Sequence, residues 1–285
     1  MSGYILCQVR RAKLPYYIEN ISTNIYSIEE LCFYLYHNIY LLDSTIINEE
    51  LCFWIRDELV LKKLAQKLYS LLDDNLKVGD FILPIFKEIN YLSLEEFRRL
   101  NQQIQKLAQE PEVLRQKLKG DYLMEHGKYV NAIKVYQKAL FEKQEKKTSE
   151  QDQLGGQFTG GIYHNMGCAY ARLFQMEEAI SCFEKAYEHL RTMGSIKSYL
   201  YAVYMEQGEE AFEKKAVELG VEGDRRKEIL EEIQKTAGEI YETRDGQEYV
   251  NALAEKRQRH LEEYHKMLDE MLQRMTKEYH RSTGY

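Results

Sequence analysis

Proline is scarce, with three copies in 285 residues. A sheet-rich chain needs more turn punctuation than that, so the scarcity favours long, unbroken helices. No apolar run of the length needed to cross a bilayer, about 18 residues, is free of charge, which excludes a membrane span as a reading. Basic stripes are missing as well. Lys and Arg total 39 against 46 Asp and Glu, a formal net charge of −7 with the two signs interspersed. Arg10-Arg11 and Arg225-Arg226-Lys227 are too short to neutralise a phosphate backbone, and no nucleic-acid partner is expected. The five cysteines, Cys7, Cys32, Cys52, Cys168 and Cys182, form no CxxC pair. An odd set among apolar neighbours reads as buried thiols in a reducing compartment. At the N-terminus the short apolar run Tyr4–Cys7 comes before Arg10 and Arg11, the reverse of a secretory signal. The expected location is the cytoplasm.

Chemical motifs are also missing. There is no HExxH, no phosphate-cradling glycine loop and no nucleophile elbow. His260 and His265 are five apart, on different helix faces, where metal ligands want three or four. His164 and Cys168 lie one helical turn apart and could couple as base and nucleophile. A groove-lining histidine beside a buried thiol is the preferred reading. No enzyme, metal or cofactor is expected.

What the chain has is helical periodicity. Tyr4–Arg10 and Tyr16-Tyr17-Ile18 suit either a short β-hairpin or an extended arm. From Ser27, which forms a capping box with Glu30, Ile28, Leu31, Cys32, Leu35, Ile39 and Leu42 share one face. Asn48 caps a run from Leu51 through Leu71, and Gly79-Asp80 starts a helix with Pro84 in its first turn or so. Ser93 and Glu96 make a second capping box. The fold class is all-α, with an N-terminal helical region over residues 1–92, a repeat region over 93–220 and capping and long helices over 221–285.

The repeat is carried by spacing. Gly120 is followed by Ala132, Tyr136 and Ala139 at steps of 12, 4 and 3 residues, and Gly167 by Ala179, Phe183 and Ala186 at the same steps. Short side chains at these intervals let two antiparallel helices press together, the glycine against the first alanine, and let the next hairpin stack on the aromatic. Such units expose an apolar face until a neighbour covers it, so they work in arrays.

Residues of about 111–218 therefore resemble the tetratricopeptide repeat family. The match is best in Tyr163, Met166-Gly167, Tyr170, Ala179, Phe183 and Ala186. It is looser in the first unit, which has Lys119 where an apolar residue is expected, and in a third hairpin from Ile196 to Val217. The resemblance implies an α-solenoid whose first helices line a groove for a peptide or protein. It places Lys117, Asp121, His164, Asn165 and Arg172 there, with Tyr201 and Tyr204. Lys117 and Asn165 resemble parts of the family's clamp for a terminal carboxylate. Asp121, where a second asparagine would help, repels one.

The two glycines stand 47 apart against about 34 for an uninterrupted repeat, so an insertion over Phe141–Thr159 is expected, either a loop or a partner contact. Gly155-Gly156 and Gly160-Gly161 should break the helix there. The helix carrying Ile229, Leu230, Ile233, Ala237 and Ile240 reads as a solenoid cap. After Gly246, one last helix carries Leu261, Tyr264, Leu268, Met271 and Met275 at heptad spacing. It either packs back on the preceding helices or joins two copies of the chain. The leading functional expectation is an adaptor or scaffold. The alternatives are a peptide-sensing cytoplasmic regulator and an enzyme whose site lies in the N-terminal bundle.

Overall fold

The computed structural model describes residues 10–21, 23–72, 77–145 and 155–283. Among these are fourteen α-helices and one two-stranded sheet, an all-α architecture with a short N-terminal hairpin. Tertiary contacts divide the chain into two compact units, one ending at Tyr122 and the other starting at Leu123.

In the first unit, β1 (Tyr16–Ile18) pairs antiparallel with β2 (Thr23–Ile25), Tyr16 opposite Ile25. Tyr16, Ile18 and Ile25 point into the core while Tyr17 is exposed, the alternation a half-buried strand requires. Residues 4–9 of the segment expected to form a strand lie outside the described residues. The partner of Tyr16–Ile18 is a strand that the sequence reading did not place. Helix α1 (Ile28–His37) starts at Ser27, whose hydroxyl accepts the Glu30 N–H at 3.1 Å. The Glu30 carboxylate takes the N–H of Tyr26 at 2.6 Å, so the expected capping box closes one residue early.

The expected run from Leu51 through Leu71 is two helices, α2 (Glu49–Asp57) and α3 (Lys62–Tyr69). Between them Val60 adopts a left-handed φ of 62°, unfavourable for a β-branched residue and invisible to apolar periodicity. The turn is held by the N–H of Leu61, which donates to the Ile55 carbonyl at 3.1 Å. In α4 (Val78–Glu88) Pro84 falls in the second turn, deeper than expected. Helix α5 (Leu94–Gln109) has the complete Ser93–Glu96 capping box, and α6 (Glu112–Glu125) follows. Ile28, Leu31, Leu35, Leu51, Ile55, Phe81 and Phe86 are sealed from solvent. Lys119, the residue out of place in the family pattern, reaches Asp43 at 2.6 Å. Burial alone would raise the Asp43 pKa; the adjacent Lys119 charge and hydrogen bonds from Lys119 and Thr45 outweigh it and hold the carboxyl below its ordinary value.

The second unit stacks helices in order. α7 (Tyr129–Glu145) lies on α8 (Gly156–Arg172), α8 on α9 (Met176–Leu190), α9 on α10 (Met193–Gln207), and α10 on α11 (Glu209–Glu218). Gly160 and Gly161 sit inside α8 rather than breaking it. A Cβ at Gly160 would lie 2.5 Å from Leu190 Cγ, so close packing on α9 overrides the weak helix propensity of glycine. Residues 146–154 of the expected insertion lie outside the described residues. α12 (Gly223–Ile240) buries Ile229 in a cluster with Ile196, Leu200, Phe212, Ala216 and Val221, and Leu230 and Ile233 pack on it.

The stretch after Gly246 is not one helix. α13 (Arg244–Arg257) and α14 (Leu261–Thr283) are separated at Arg259, which has φ of 66°. Arg274 of α14 clasps Asp245 at 2.8 Å and Glu248 at 2.6 Å on α13. α14 also lies against α7. Met271 is buried on its seam, whereas Leu261 and Met275 remain about half exposed.

Candidate partner-binding face

The hairpin of α8 and α9 is organised by what α8 lacks. A Cβ on Gly167 would sit 2.7 Å from the ring of Phe183. The glycine therefore meets the aromatic of α9, where the spacing argument had placed it against Ala179. Phe183 also joins Met176, Ala179, Tyr199, Ala202 and Val203 in one buried cluster spanning α9 and α10. One aromatic thus fastens the hairpin and receives the next helix.

His164, Cys168 and Arg172 follow at four-residue steps, one row on α8. The His164 ring is 5.5 Å from that of Phe183, and its Nε2 is 3.7 Å from Cys168 Sγ. Burial lowers the His164 pKa and raises that of the Cys168 thiol, the latter opposed by Arg172. Both shifts favour neutral side chains, the opposite of the imidazolium–thiolate pair that an activated cysteine needs. Arg172 is exposed and has no ion-pair partner among the described residues.

The other candidate residues are placed differently. The Asn165 amide is 3.3 Å from the Tyr136 hydroxyl, turned toward α7. Tyr201 donates to Glu232 of α12, and Lys197 binds the same carboxylate at 2.8 Å. Burial, then that hydrogen bond and the Glu232 charge, push the Tyr201 phenol up to about 12. Tyr204 packs edge-on against Phe212, centroids 6.1 Å apart. Lys117 and Asp121 pair with each other and belong to the first unit, whereas the remaining five belong to the second. Sequence reasoning missed the Lys197–Tyr201–Glu232 cluster, because nothing in the spacing says that α12 returns to α10.

A scan against protein-family models matches residues 160–188 to the tetratricopeptide repeat. The α8–α9 hairpin is tetratricopeptide-like. The matched stretch holds Gly167, Ala179, Phe183 and Ala186, the residues that make the interhelical seam. Comparison with curated proteins and with solved structures gives no match. At a coarse level the repeat and the stacked helical architecture suggest an interaction adaptor. Among the described residues no helix is long and apolar enough to cross a membrane, and no group of three or more His, Cys, Asp or Glu side chains could hold a metal ion.

Proposed function

We propose that this protein is an adaptor that takes up a peptide or protein segment on the tetratricopeptide-like face of the second unit. Contact is made by the row His164, Cys168 and Arg172, with an acidic or carboxylate group of the partner opposite Arg172. The supporting observation is the Gly167–Phe183 seam. It locks α8 against α9 and leaves His164 and Cys168 half-buried along the seam, with the exposed guanidinium of Arg172 at the end of the row and no ion-pair partner for it among the described residues. Asn165, Tyr201, Tyr204, Lys117 and Asp121 are engaged inside the chain and act as support. A clamp built from Lys117 and Asn165 is not proposed, since each already has a partner.

The tagged protein recovered from its native cell should carry a stoichiometric partner chain. Arg172→Glu should lower that recovery at least fivefold, while Glu178→Lys, outside the row, should not. Undiminished recovery with Arg172→Glu, or no co-purifying chain at all, defeats the reading. The alternative of an enzyme in the N-terminal bundle calls for a titrating group poised near neutrality. The shifted carboxyls there, Asp43, Asp57, Glu58 and Glu96, all move the other way, Asp43 into an ion pair with Lys119.

A further inference from the structure

The first unit holds a cleft of about 590 Å³ between the Ile39–Asp43 turn, the start of α4, α5 and α6, within the size range of ligand sites. Its α5 wall is formed by Asn101, Gln105 and Gln109 on either side of Ile104, and Tyr40 and Leu42 line the cleft as well. The three carboxamides recur every four residues, so they form one row along the helix. None makes a hydrogen bond to any of the described residues. Each offers a donor pair and an acceptor, the complement of a peptide group.

The spacing of the row has a physical match. Four residues of helix rise about 6 Å, close to the roughly 6.6 Å over which an extended strand repeats its outward-facing peptide groups. Three carboxamides thus span about 12 Å, the reach of roughly four extended residues. Charge does not select the occupant. Asp43 is paired with Lys119, and Glu112 with Arg115 and Gln116, and the remaining charged lining residues, Lys77 and Asp80, are of opposite sign, so the lining carries no net charge.

We infer that this cleft binds an extended segment of another polypeptide through its backbone, with Asn101, Gln105 and Gln109 as the reading row. Alternate side chains of the segment pack between Ile104 and the Tyr40–Leu42 side. Recognition by main chain makes the site tolerant of sequence and intolerant of backbone substitution. The inference rests on no part of the α8–α11 reading, and either can fail alone.

The probe is the blocked tetrapeptide acetyl-valyl-seryl-valyl-serine amide, titrated into the full-length protein. The side-chain amide proton pairs of Asn101, Gln105 and Gln109 are followed by nuclear magnetic resonance. Expected are saturable shifts of those three pairs at millimolar peptide. Binding should weaken at least tenfold with the same peptide N-methylated at alternate residues. It should also weaken at least fivefold with Gln105→Leu, a surface change that leaves the thermal midpoint within a degree or two. Absence of shifts at 10 mM peptide, shifts confined to other residues, or equal binding of the N-methylated peptide would overturn the inference.

Discussion

One methyl group at Gly167 would have to share space with the Phe183 ring, 2.7 Å away, whereas one at Gly161 of the same helix would meet nothing within 4 Å among the described residues. Gly167→Ala should therefore cost about 1–3 kcal/mol through overpacking. Gly161→Ala should stabilise by roughly 0.5–1 kcal/mol through better helix propensity. Opposite displacements of the thermal midpoint by a few degrees would bear this out, and movement in the same direction would not. Tyr201 offers a spectroscopic check. Its folded pKa is raised, so its contribution to stability is present below the unfolded value near 10 and lost as pH climbs through about 12. Its ionisation, followed by ultraviolet absorbance, should trail that of exposed tyrosines, and Glu232→Gln should bring it forward. At this scale the sequence was highly legible where side-chain size decides. Gly167, Phe183 and Ala186 were found from spacing alone, and Ser93 and Glu96 from the capping pattern. It was opaque where a backbone angle decides, as at Val60 and Arg259, whose left-handed φ values no glycine or asparagine announces.

Individual elements were legible in type and less so in extent. Helix α12 was readable as an amphipathic helix, but that its first half packs on α10 and α11 through Ile229 depends on contacts with no local signature. Ile229→Ala should cost about 2–5 kcal/mol and should speed hydrogen exchange in α12 more than in α9. Equal acceleration in both would argue against a separable cap. The turn between α12 and α13 depends on Gly246, where a Cβ would fall 2.0 Å from the Ile240 carbonyl oxygen. No side chain fits against that backbone. In the first unit, the Asp43–Lys119 bridge ties α6 to the turn after α1. The folded Asp43 pKa is depressed, so its stabilisation is present above the unfolded value of about 4. It is lost as pH falls through the lower folded value. Lys119→Met should lower stability at pH 7 and shrink the further loss between pH 5 and pH 2. An unchanged acid response in the variant would remove the bridge from the account.

At the scale of the whole molecule, stability should be unevenly distributed. Most side chains of α12 beyond Ile233, together with the turn after it, stand in solvent, including Ile240 and Tyr241, whereas α9 and α10 bury a residue at nearly every turn. Native-state hydrogen exchange should protect 176–203 most strongly and release 234–243 early. Uniform protection across both stretches would contradict that order. The all-helical class followed from scarce proline and periodic apolar residues. The two-unit division did not, because it depends on which helices touch, and apolar patterning is silent about partners. The glycine seam of the second unit has a mechanical corollary. Where Gly160 and Gly167 abut Leu190 and Phe183, the backbone of α8 rests directly on those α9 side chains, with no side chain of its own between. The rods cannot shear past each other without steric collision. A tug on Arg172 at one end of α8 should then pass to α9 through these contacts, and on to α10 through the cluster around Phe183, as a lever would carry it rather than a spring.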